Sequence, residues 1–103
     1  MKKPETVGSF ITLIKSMQHR ERYTFKLCER FKEKYSHVGA CTVEIYMTQL
    51  FNVKMAPMNL NVKIATIDGT LIKNDEGKTL FNKSKYVDRC DEEYFTMVYG
   101  MIE

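Results

Sequence analysis

The chain has 103 residues with a mass of 12.1 kDa, and 44% of them are hydrophobic, 12% aromatic and 28% charged. That is the length of one domain, apolar enough to bury roughly 60–70% of the surface its unfolded form exposes, and it excludes disordered, fibrous and collagen-like chains. No apolar run approaches the ~20 residues that cross a bilayer, and MKKPETVGSF lacks the apolar centre of a leader, so the expectation is a single cytoplasmic domain (1–103) with no membrane partner.

The formal net charge of +3 is unevenly spread: +5 over residues 1–36, +2 over 37–87 and −4 over 88–103. Such polarity steers a polyanion to one side of a molecule, although charge on amphipathic helices is often only a solvated face. The three cysteines, Cys28, Cys41 and Cys90, are odd in number and far apart in the chain. They read as reduced thiols rather than as a disulfide framework, with Cys28 a small hydrophobe in a helical stripe.

Residues 6–18 place Val7, Phe10, Ile11, Ile14 and Met17 at steps of three and four, the period of an amphipathic helix. Tyr23, Leu27, Phe31 and Tyr35 resume that period and predict a second helix, or the continuation of one long bent helix, ending near Ser36, with Gly39 as its stop. Thr42 can cap a third helix, with Val43, Met47, Leu50 and Phe51 as its buried stripe. Pro57 and Gly69 bracket a fourth, with Leu60, Ile64 and Ile67 on one face. The same stretch also alternates as Asn59-Leu60-Asn61-Val62-Lys63-Ile64, which is a strand pattern. A hairpin over Leu71–Phe81 and a closing helix from Ser84 complete the chain, with a strand over Tyr94–Tyr99 as the alternative to that helix. The expected core is Phe10, Ile14, Leu27, Phe31, Leu50, Phe51 and Ile64.

Motifs of catalysis are incomplete. Glu76-Gly77-Lys78-Thr79 ends like a phosphate-binding loop, but Ile72 stands where its first glycine belongs. Thr66-Ile67-Asp68-Gly69-Thr70-Leu71 resembles the motif of haloacid-dehalogenase-like phosphatases, with Thr66 in place of the nucleophilic Asp. His37 and Cys41 are one loose pair, short of a zinc set. No catalytic residue, metal or cofactor is called for.

Helix, three-residue turn, helix and hairpin is the order of a winged helix-turn-helix, in which the second helix enters the major groove and the hairpin reaches flanking phosphates. The segment at Pro57–Asp68 would present Met58, Asn59, Val62, Lys63 and Thr66, and the wing would present Lys73, Lys78, Lys83 and Lys85. Asn pairs with adenine, Lys reaches guanine or phosphate, and Thr touches a thymine methyl. The stretch NVKMAPMNLNVKIATIDGTLIKNDEGKTLFNKSKY resembles the C-terminal winged-helix domains of phage antirepressor proteins, through Leu60-Asn61, Gly69, Ile72-Lys73, Gly77, Leu80 and Tyr86. The resemblance covers about a third of the chain and implies a phage or mobile-element origin.

The expected fold is therefore α+β and mainly α, N-terminal helices followed by a winged helix-turn-helix. The expected function is nucleic-acid-binding regulation, with DNA as partner and Asn59, Lys63, Thr66, Lys73, Lys78 and Lys83 as contact residues. The alternative is a set of helices packed on a small antiparallel sheet, acting as a phage-type interaction module or inhibitor of a host protein. Exposed Tyr and Met and the Asp91-Glu92-Glu93 cluster would then form the contact surface.

Overall fold

Val43, Ile45 and Met47 alternate with Thr42, Glu44, Tyr46 and Thr48, and a period of two sorts side chains onto opposite faces of a strand. The computed structural model describes residues 1–35, 39–49, 56–66, 70, 76 and 83–103. In it this segment is strand β2 (Thr42–Gln49), flanked by β1 (Arg22–Lys26) and β3 (Met58–Ala65), with β4 (Lys83–Tyr86) beyond β3. The four strands form an antiparallel sheet in the order β1-β2-β3-β4. Arg22 stands opposite Tyr46, Val43 opposite Ile64, and Asn61 opposite Ser84.

Register decides what each face carries. Phe25, Val43, Ile45, Met47, Leu60, Val62 and Ile64 are buried on one side. Against them pack Phe10 and Ile14 of helix α1 (Val7–Lys15) and Phe95 and Val98 of helix α3 (Glu92–Tyr99). Helix α2 (Glu29–Lys34) buries none of its residues and touches this core through half-buried Phe31.

Both long helices are closed at their N-termini by side chains. Thr6 Oγ1 accepts the Ser9 N–H at 3.0 Å while Ser9 Oγ accepts the Thr6 N–H at 3.2 Å, a reciprocal box ahead of α1. Asp91 accepts the Tyr94 N–H at 2.8 Å, and Glu92 and Glu93 lie in the first turn of α3, where the helix dipole favours negative charge. After α3 the chain returns to β1: Cys28 N–H donates to the Met101 carbonyl at 2.8 Å and Glu103 N–H to the Lys26 carbonyl at 2.9 Å. Residues 101–103 thus pair with the outer side of β1 over Lys26–Cys28, where its backbone would otherwise lie open.

These elements overturn the mainly-α, winged-helix expectation. The helix expected at Tyr23–Ser36 is strand β1 followed by the six residues of α2. The helix expected from Thr42 is β2, and the recognition helix expected at Pro57–Asp68 is β3, so no helix-turn-helix exists among the described residues. Alternation prevailed because each of these strands has one face against the core, where a helix would bury the polar residues between. Ser84 opens no helix but lies in β4, and the closing helix α3 begins at Glu92. The expected wing at Leu71–Phe81, with Lys73 and Lys78, falls outside the described residues except for Glu76, as do Leu50 and Phe51. Of the expected core, Phe10, Ile14, Leu27 and Ile64 are fully buried, and Phe31 is not. Among the described residues, no helix is long and apolar enough to cross a membrane.

Candidate functional site: the polar face of the sheet

The face turned away from α1 and α3 carries the other half of each alternation: Arg22, Thr24 and Lys26 from β1, Glu44, Tyr46 and Thr48 from β2, Asn59, Asn61 and Lys63 from β3, and Ser84 and Tyr86 from β4. Its centre is aromatic and cationic. Tyr46 is half-buried, with the Arg22 guanidinium carbon 5.2 Å and the Lys63 Nζ 5.3 Å from its ring centroid. Both distances are within cation–π range. Glu44 lies beneath them at 4% exposure, accepting the Thr24 hydroxyl at 3.0 Å, with Arg22 Nε 3.8 Å from the same carboxylate oxygen. The acid is thus held inside the sheet surface while the cations lie nearer solvent.

Toward β4 the face becomes a hydrogen-bonded network. The Asn61 amide nitrogen lies within bonding distance of the Tyr46 carbonyl (3.2 Å) and the Thr48 hydroxyl (3.0 Å), and its oxygen accepts from Ser84 Oγ at 3.2 Å. Asn59 donates to Ser84 Oγ at 2.5 Å. Beyond this network Tyr86 is 44% exposed, one of the few large hydrophobic side chains among the described residues so open to solvent.

The structure brings Asn59 and Lys63 onto one face, although by strand rather than helix geometry: they are four residues apart on β3, with Asn61 between. Thr66 lies just past β3, its N–H donating to the Thr70 carbonyl at 2.9 Å. Lys83 pairs with Val62 and therefore has the parity of the opposite face, and Lys73 and Lys78 lie outside the described residues. Sequence reasoning missed Arg22 and Tyr46. The signal was present in Arg22-Tyr23-Thr24-Phe25-Lys26, a polar–apolar alternation whose polar members are now on this face.

The cysteines form no disulfide. Cys28 does not sit in a helical stripe but occupies the position just ahead of α2, and its thiol donates to the Gly100 carbonyl at 3.3 Å. His37, the proposed partner of Cys41, is outside the described residues. No group of three or more His, Cys, Asp or Glu able to hold a metal occurs among the described residues. Comparison of the chain with family models, curated proteins and solved structures finds no match.

Proposed function

We propose that this chain is a non-catalytic module that binds single-stranded nucleic acid across the polar face of its sheet. The observation that carries the reading is Tyr46 with a guanidinium and an ammonium within 5.3 Å of its ring, at the centre of a four-stranded face. A phosphate over this cluster meets the forked donors of Arg22, the ammonium of Lys63 and the phenol of Tyr46. The exposed ring of Tyr86 offers a base a stacking surface, an interaction worth about 1–3 kcal/mol per base.

Size and charge favour a single strand over a duplex. Four strands at ~4.8 Å spacing span about 14 Å before side chains are added, wider than a major groove of about 12 Å that admits two strands. Sheet faces with aromatic residues suit splayed-out bases instead. Arg22, Lys26 and Lys63 share this face, whereas Asp91, Glu92 and Glu93 belong to α3 or its cap on the other side. A polyanion is drawn to the first and turned away by the second.

The test is an anisotropy titration of labelled oligo-dT and oligo-U, and of a duplex of equal length, at two salt concentrations. Single strands are expected to bind more tightly than the duplex. Arg22→Ala and Lys63→Ala are each expected to flatten the log–log salt slope by about 0.7, the single-strand value per phosphate. A folded protein with no affinity for either oligonucleotide at low salt rules the proposal out and leaves a protein as the candidate occupant of the face.

A further inference from the structure

Helix α3 buries Phe95 and Val98 and leaves Glu92, Glu93, Thr96 and Met97 exposed, with Gly100 just after its last turn. Together with Arg30 and Phe31 of α2, these exposed residues line a groove of about 500 Å³. Its middle is apolar, since Phe31 is half-buried and Met97 is 40% exposed. Its two ends carry opposite charge. Glu92 and Glu93 lie in the first turn of α3, whereas Arg30 reaches the far end, with a guanidinium nitrogen 4.0 Å from where a Cβ on Gly100 would stand. The eight residues of α3, at about 1.5 Å each, separate those ends by about 12 Å. Arg30 lies over the Phe31 ring, its guanidinium carbon 5.3 Å from the centroid, and among the described residues neither it nor Glu92 or Glu93 has an ion-pair partner.

We infer that a second copy of this chain docks in the groove, with the two α3 helices antiparallel about a two-fold axis. A two-fold interface uses one patch on both copies, so the patch must be complementary to itself. This one is, in one orientation. Antiparallel pairing sets Glu92 and Glu93 of each copy beside Arg30 of the other and lays the helix dipoles head to tail. Parallel pairing would set four acids side by side. Thr96 and Met97 lie midway between the charged ends, so the axis passes beside them and each Met97 enters the other copy's groove against Phe31. A contact along eight residues of helix is small, which makes the dimer weak and reversible. Because α3 lies on the apolar side of the sheet, the pair leaves both polar faces turned outward. The inference does not rest on the nucleic-acid reading.

The experiment is sedimentation equilibrium of the full chain over a range of concentrations, without nucleic acid. A dimer fraction that rises with concentration is expected for wild type. Met97→Asp is expected to weaken association at least about tenfold, since it sets an unpaired carboxylate between two apolar surfaces. Arg30→Glu brings acids together at both ends of the interface, and a Glu92→Lys, Glu93→Lys double variant brings bases together. Each is expected to be monomeric alone. An equimolar mixture of the two is expected to dimerise, because both ends then join opposite charges, and misfolding of either variant cannot produce that result. The inference is overturned if wild type is still monomeric at about 1 mM, if either charge variant dimerises like wild type, or if the mixture stays monomeric.

Discussion

Arg22 and Tyr46 stand directly opposite each other on β1 and β2, with the guanidinium carbon 5.2 Å from the ring centroid. The pairing holds a cation over an aromatic ring on the polar face of the sheet, while the acid beneath, Glu44, is buried. Arg22 itself is well exposed, at 59% for its side chain. Its ion pair with Glu44 is therefore screened by solvent and worth no more than ~1 kcal/mol. Arg22→Ala is expected to lower stability by less than that in urea denaturation while weakening nucleic-acid binding clearly. A loss of several kcal/mol would make Arg22 a structural residue.

Phe95 and Phe31 separate the core from its margin. Phe95 is 2% exposed between α3 and the sheet, whereas Phe31 is only half-buried on α2. Phe95→Ala is expected to cost about 3–5 kcal/mol, and Phe31→Ala about 1–2 kcal/mol, as fits partial burial. Chemical denaturation of the two variants checks the ranking, and the reverse order would contradict the packing described.

Gly39 adopts a φ of +70° between α2 and β2, with open space where a Cβ would go. Only conformation resists a side chain there. Gly39→Ala is expected to cost about 1–2 kcal/mol, the penalty of an L-residue in the left-handed region. A neutral result in thermal unfolding would mean that the backbone relaxes out of that region.

Tyr94 has the one buried side-chain polar atom among the described residues without a hydrogen-bond partner, its hydroxyl, while Lys85 Nζ lies 5.0 Å from its ring centroid. Removing the hydroxyl relieves its desolvation cost, so Tyr94→Phe is expected to raise stability by ~1 kcal/mol, roughly 4–8 °C in Tm for a domain of this size. Burial, followed by the nearby Cys90, raises the phenol above the usual 10.0. The folded form then keeps its proton after the unfolded form has lost it, and stability falls as pH rises from about 10 toward the folded value. Wild type is expected to lose stability in that window faster than Tyr94→Phe, as followed by circular dichroism. Parallel pH profiles would show that the hydroxyl is solvated.

The first helix and much of its buried face were legible in the spacing of Phe10 and Ile14, because no other period competes over residues 6–18, whereas the Thr6–Ser9 box that caps it was not among the expectations. The strands were not. Tyr23 and Leu27 are four residues apart, and so are Val43 and Met47, spacings that satisfy a helix and a strand equally. What distinguishes the two is the residue midway: Phe25 and Ile45 are both fully buried, and a helical reading leaves them on the wrong face. In β3 the alternation of Asn and Lys with Leu, Val and Ile was visible, and Pro57 and Gly69 argued for a helix against it. Pairing with β2 on one side and β4 on the other decided the matter, a tertiary effect that no local propensity contains. Of the candidate site, Asn59 and Lys63 were legible as polar residues on one face. Arg22 and Tyr46 were not, since their proximity depends on strand register.

Residue-resolved NMR during an oligo-dT titration shows whether nucleic acid binds on the polar face of the sheet. Shifts are expected to concentrate at Arg22, Thr24, Tyr46, Lys63 and Tyr86, with α1 and the apolar side of the sheet unmoved. Perturbations confined to α1 and α3, or none at oligonucleotide concentrations well above the protein's, would contradict it.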